Sequence, residues 1–146
     1  MNKPKNSPVR KIIAENRKAR FNFEILDTLE AGLVLTGTEV KTLRNGRATL
    51  SDAYATVEDN GEALLINANI PEYEFGTWRN HSAKRSRKLL LHRKEITRIQ
   101  RALDSSGRTL IPLSLYFKDG YAKVQIGIAT GKKDWDKRRD LAERDA

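Results

Sequence analysis

The chain of 146 residues contains no cysteine, which excludes a disulfide framework, a thiol nucleophile and a thiolate metal site. Its two histidines, His81 and His92, form no i, i+4 pair, so a zinc site lacks a starting ligand set. His92 follows an apolar run and reads as a polar residue opening a helix. No apolar run approaches the roughly 20 residues a membrane span requires, and no signal-peptide h-region opens the sequence. A cytoplasmic protein with no membrane role is expected. Neither G-x-S-x-G, nor a Walker A string, nor G-x-G-x-x-G occurs, so the common nucleophile and phosphate-cradle motifs are absent. Asp52, Glu58, Asp59 and Glu62 could hold a metal for nuclease chemistry. They surround an Asp59-Asn60-Gly61 turn, however, where solvated charge is the ordinary explanation. The expectation is a binding protein, with no catalytic residue, metal or cofactor.

Charge is abundant: 28 Lys/Arg face 19 Asp/Glu, for a formal +9, and charged residues make up 32% against 38% hydrophobic. The imbalance is localised. Residues 1 to 20 hold seven cations against one acid, residues 21 to 78 three against ten, and residues 79 to 101 nine against one. Two basic blocks flanking an acidic middle point to a polyanion, since each neutralised phosphate releases condensed counterions. A single such run would more simply be a solvated face.

The length suits one domain. Residues 1–15 mix Pro4, Pro8, Asn, Ser and Lys and read as a mobile basic arm. Phe21, Phe23 and Ile25 alternate with polar residues as a strand does, and this strand runs on, with an irregularity near Asp27, to the apolar Leu33, Val34 and Leu35. Thr36, Gly37, Thr38 and Glu39 then form a capping box, and Asn45-Gly46 closes the short helix. That helix sets Val40 and Leu43 on one face and Lys41 and Arg44 on another, with Arg47 just beyond. Ala53 to Val57 and Ala63 to Asn67 are strands joined at the Asp59-Asn60-Gly61 turn. A long connection from Asn69 to Ser86 carries Tyr73, Phe75 and Trp78. Ile96, Ile99 and Leu103 mark a second helix exposing Arg93, Lys94, Arg98 and Arg101. Thr109 to Phe117 and Tyr121 to Ala129 are strands around a Lys118-Asp119-Gly120 turn, with Pro112 marking an edge or a bulge. Together these predict a mainly β domain at 16–130. Its expected architecture is a small closed antiparallel OB-fold barrel with flanking short helices, a generic α+β sandwich being the alternative. Residues 131–146 form a flexible basic tail in this reading, where Trp135 either stacks on a base or folds back onto the domain.

Several strings, all in one order, resemble the SsrA-binding protein (small protein B) family of bacterial trans-translation. They are Asn16-Arg17-Lys18-Ala19, Glu30-Ala31-Gly32, GTEVKTLRNG from Gly37 to Gly46, RKLLLH from Arg87 to His92, LSLYF from Leu113 to Phe117, and Gly131-Lys132-Lys133 followed by Asp136-Lys137-Arg138. The resemblance implies an OB-fold adaptor that performs no chemistry. Such a protein binds the tRNA-like domain of transfer-messenger RNA and brings it to the small subunit of stalled ribosomes as a monomer in the RNA complex. On this analogy Asn16, Glu30 and Leu90 grip the RNA. Lys132, Lys133, Trp135, Asp136, Lys137 and Arg138 act as a tail near the decoding centre. The basic blocks and the capped helix add Arg17, Lys18, Lys41, Arg44, Lys84, Arg85, Arg87 and Lys88 as RNA contacts. From the residues alone, the preferred reading of Glu30 is an ordinary strand-end carboxylate and that of Leu90 a core residue. Ala83 and Ser86 stand where relatives often carry proline, and a less selective single-strand binder and a metal-dependent nuclease are the competing functions.

Overall fold

A computed structural model of the chain describes residues 10–76, 78–105, 107–132 and 138–139. The segment Arg10–Glu15 is strand β1, followed by helix α1 (Arg17–Asn22), strand β2 (Phe23–Leu33) and helix α2 (Gly37–Arg44). Strands β3 (Tyr54–Val57), β4 (Ala63–Ile66) and β5 (Arg87–Leu90) precede helix α3 (Arg93–Leu103) and the long strands β6 (Arg108–Lys118) and β7 (Tyr121–Gly131). Every pairing is antiparallel, in the order β1-β6-β7-β2-β5-β4-β3.

Strands β6 and β7 lie second and third from the β1 edge of this sheet, and their alternation decides which side meets the core. Leu115 and Val124 face one another and the core, whereas their neighbours Tyr116 and Lys123 face the other way. Core residues from β2, β4, β5, β6, β7, α2 and α3, among them Ala31, Leu65, Leu89, Leu115, Val124, Leu43 and Ile99, form one cluster. The expected capped helix is present, with the Thr36 amide donating to Glu39 Oε1 at 2.9 Å. Two irregularities foreseen in the sequence are β-bulges, one between Ile25 and Asp27 and one between Pro112 and Ser114. The Asp119-Gly120 turn takes positive φ at both residues, 54° and 81°, as a two-residue hairpin turn requires.

Four expectations need correction. Residues 10–15 are a strand and not part of an arm: Ile13 and Ala14 pack on the core, and β1 pairs with Ser114–Lys118 of β6. That pairing also bears on the barrel. The sheet curls until β3, at one edge, touches β6, but β1 already occupies the outer edge of the Ser114–Lys118 stretch, and no ladder closes the ring among the described residues. Phe21 belongs to α1 and not to a strand, because Asn16 caps a helix whose Ala19 packs against Ile111, Leu113 and Ala129. Val34 lies beyond β2 and is exposed. The strand β5, unassigned from the sequence, begins at Arg87, whose buried side chain is described below.

Candidate nucleic-acid interface

Residues paired directly across a sheet share a face, so the register writes out the outer surface of β1, β6, β7, β2 and β5. One row runs Ile12, Tyr116, Lys123, Gly32, Leu90, and the next runs Glu15, Ser114, Gln125, Glu30. A third pairs Arg10 with Lys118 and Lys118 with Tyr121. Glu30 sits at the centre of this polar face. The Tyr116 hydroxyl crosses β7 to donate to Glu30 Oε2 at 2.5 Å, and Lys118 Nζ donates to Oε1 at 3.1 Å. The Arg10 guanidinium lies 3.7 Å from the same carboxylate and 4.8 Å over the Tyr116 ring. Partial burial by itself raises the Glu30 pKa. The hydrogen bonds from Tyr116 and Lys118, with the charges of Lys118 and Arg10, outweigh it and hold the carboxyl below its ordinary range. Burial and the donation to Glu30 push the Tyr116 hydroxyl pKa well up, so it remains a donor at neutral pH. Glu30 is therefore an ionised acceptor that orders a tyrosine and two cations around itself.

Two hollows flank this group. One, of about 500 Å³, is lined by Glu30, Leu90, Leu91, His92, Glu95 and Lys123. The other, of about 180 Å³, contains Arg10, Asn16, Arg17, Arg20, Tyr116 and Gln125. Leu90 is 54% exposed while Leu89 beside it is buried, so it is a surface apolar residue and not core. Its position depends on Gly32, opposite it on β2, where a Cβ atom would stand 3.3 Å from the Leu90 Cβ. Lys88 is exposed two residues earlier on β5, on the same face as Leu90.

The structure thus brings Glu30, Leu90 and Lys88 to one surface and sets Arg17 at its border. Asn16 lines the border too, but it is buried and acts as a fastener: its Nδ2 donates to the Pro112 carbonyl at 3.0 Å, and its Oδ1 accepts from the Ala19 amide at 3.3 Å. Lys18 turns to a different hollow, with Tyr54 and Ile111. Arg87 cannot be a contact. Its side chain is fully buried, its Nε donates to the equally buried Glu39, and its terminal nitrogens donate to the carbonyls of Ala68 and Ala83 at 2.8 and 2.9 Å. Arg85 also donates to Glu39, through Nε at 3.1 Å and through Nη2. These two arginines fasten the long 67–86 connection to α2, with the ring of His81 bridging Ile70 O at 2.8 Å and Thr38 Oγ1 at 2.9 Å. Lys41, Arg44 and Lys84 are exposed, but the first two project from α2, outside both hollows. Lys132 anchors the start of the last segment, its Nζ donating to the Arg20 carbonyl at 3.0 Å and its amide to the Asn22 carbonyl at 2.9 Å. Arg138 is exposed, and Lys133, Trp135, Asp136 and Lys137 lie outside the described residues.

Sequence reasoning missed Arg10, Tyr116, Lys118, Lys123 and Gln125 as members of this face. The signal was the other half of the β6 and β7 alternation, Ser114-Tyr116-Lys118 and Tyr121-Lys123-Gln125, which turns away from the main core, although Tyr116 on that side is itself buried, with Arg10 over its ring.

Comparison with known proteins agrees with the strings quoted above. A family model described as "SmpB protein" matches residues 13–146. An SsrA-binding protein of a Nocardioides species is 60% identical over 137 residues, 94% of this chain and 86% of the relative. One of Brucella anthropi is 59% identical over 146 residues, covering 99% and 92% of the two chains. A solved structure reported under the words "tmRNA-SmpB: a journey to the center of the bacterial ribosome" matches with a TM-score of 0.68 and 49% identity, covering 82% of this chain and 84% of that one. The chain belongs to the SmpB protein family.

Proposed function

We propose that the chain is an RNA-binding adaptor that grips the tRNA-like domain of transfer-messenger RNA with the face centred on Glu30 and brings it to the small subunit of stalled ribosomes. The observation that carries the reading is the Glu30 group itself. An ionised carboxylate offers acceptors to a base edge or ribose hydroxyl, the Arg10 and Lys118 cations beside it suit phosphates, and exposed Leu90 supplies an apolar contact. Such a mixed surface reads a folded RNA, whereas a purely cationic one would bind any polyanion. The curled sheet serves as an OB-type barrel in this reading, the protein acts without catalysis in the cytoplasm as a monomer on its RNA, and residues 133–146 act on the ribosome after binding. Family membership supports the adaptor role and its RNA and ribosome partners.

The test is binding to the tRNA-like domain against a random RNA of equal length at physiological salt. Preference for the former is expected; equal affinity would overturn the reading in favour of an unselective single-strand binder, and chelator-sensitive cleavage would favour a nuclease. Deleting residues 133–146, which keeps the Lys132 anchor, should leave RNA affinity nearly intact and abolish peptide tagging on stalled ribosomes.

A further inference from the structure

A second surface, built from other elements, has features of its own. Phe75 and Trp78 are 75% and 85% exposed, although large aromatics in water cost solvation free energy and are seldom displayed without use. The segment holding them is fastened at its base. Asn80 clamps Tyr73 from both sides, accepting from its amide at 3.1 Å and donating to its carbonyl at 2.8 Å. The Gly76 amide donates back to the Tyr73 carbonyl at 2.9 Å. Gly76 is required here, because a Cβ would meet the Asn80 amide nitrogen at 2.3 Å. His81, next to the clamp, is itself tied to Ile70 and to Thr38 of α2. The rings are held in place as well. Tyr73 and Phe75 meet edge to face with centroids 5.7 Å apart, Lys41 Nζ stands 5.5 Å over Tyr73, and the Arg79 guanidinium stands 4.8 Å over Trp78. Lys41 thereby joins the exposed side of α2, including Arg44, to the aromatic tip.

We propose that this tip is a second RNA contact, in which Phe75 and Trp78 stack on unpaired bases while Lys41, Arg44 and Arg79 face the adjoining phosphates. Aromatic faces interleaved with cations are what single-stranded nucleic acid binds, and preorganisation by Asn80 lowers the ordering cost of binding. Glu72 and Glu74 lie on the same loop and leave the patch with a small net charge, three cations against two acids. Stacking rather than phosphate neutralisation therefore supplies the affinity. The Glu30 face is not needed for this contact, and the probe below contains no tRNA-like domain, so either proposal can fail without the other.

The chain has two tryptophans, so Trp135→Phe leaves Trp78 as the only tryptophan, and excitation at the red edge, where tyrosine does not absorb, reads it alone. A 12-nucleotide single-stranded oligoribonucleotide should quench its emission, and a blunt duplex of the same sequence should not. Phe75→Ala should weaken binding on the order of tenfold and Phe75→Tyr should restore it. With three cations engaged, log affinity should fall with log salt at a slope no steeper than about −2. Equal quenching by the duplex, or an unchanged affinity in Phe75→Ala, would overturn the proposal. So would self-association in sedimentation that Trp78→Ala abolishes, which would assign the tip to a second copy of the chain.

Discussion

Removing the Glu39 carboxylate should destabilise the fold far more than its two-residue distance from a surface lysine suggests. Glu39 and Arg87 are both fully buried, and the carboxylate also accepts from Arg85 and from the Thr36 amide. In Glu39→Ala the Arg87 guanidinium keeps its carbonyl acceptors at Ala68 and Ala83 but loses its counter-charge. Breaking a buried pair by deleting one partner costs about 3–5 kcal/mol, against a total stability of roughly 5–15 kcal/mol for a domain. At roughly 2–4 °C per kcal/mol for a chain near this size, the melting temperature should fall by about 10 °C. The double variant Glu39→Met, Arg87→Met should recover most of the loss, since apolar replacement of a whole buried pair is often neutral or better. Burial raises the Glu39 pKa, and the bonds from Arg85, the Thr36 amide and Arg87 outweigh it, leaving the folded value below 4.5. The stabilising contribution is thus fully present above that ordinary value and is lost as pH falls through the folded pKa. The gap between wild type and Glu39→Ala, measured by thermal and urea unfolding, should narrow as the solution is acidified below pH 4.5. A loss under about 1 kcal/mol in the single variant, or a double variant as damaged as the single, would refute the reasoning.

Two other outcomes follow from the Glu30 face. Tyr116→Phe deletes the 2.5 Å donation to Glu30, so the Glu30 pKa should rise toward its ordinary value in an NMR titration, and affinity for the tRNA-like domain should fall several-fold; an unmoved Glu30 titration would sink the assignment. Gly32→Val places atoms against Leu90, whose Cβ already stands 3.3 Å from an added Cβ. Displacing Leu90 should cost on the order of tenfold in RNA affinity, the equivalent of about 1.4 kcal/mol, while far-UV circular dichroism stays native.

Local signals in the sequence carried the fold well wherever the chemistry was local. The Thr36-to-Glu39 cap, the Asp119-Gly120 turn and the bulge at Pro112 each depend on residues within a few positions of one another, and each stands where the pattern placed it. What escaped depends on contacts distant in sequence. Ile13 and Ala14 look like too little to bury until β6 offers an edge about 100 residues further on. Phe21 alternates like a strand residue, but Asn16 reaches Pro112 and starts a helix there. On the candidate face, the family resemblance pointed to Glu30 and Leu90, which the fold places on one surface, whereas the tyrosine and cations around Glu30 meet only through the register of β6, β7 and β2.

The division of charge along the chain also takes on a different meaning once folded. The acidic middle supplies partners to the basic blocks: Glu30 to Arg10, Glu39 to Arg85 and Arg87, and Asp27 to Arg98 at 2.9 Å. Four cations counted as polyanion ligands in the sequence are therefore engaged with acids of the same chain. They differ in consequence. Arg85 and Arg87 hold a buried carboxylate and brace a loop, whereas Arg10 is half-exposed, sits at 3.7 Å from Glu30 and covers Tyr116. A pair that long in a partly solvated site is weak, so Arg10 can turn to a phosphate at little cost, and Glu30 then gains an open side for a base or ribose hydroxyl. In the contact proposed for this face, the acid at the centre gives selectivity, because a ligand must replace the hydrogen-bonding order around the carboxylate as well as neutralise charge.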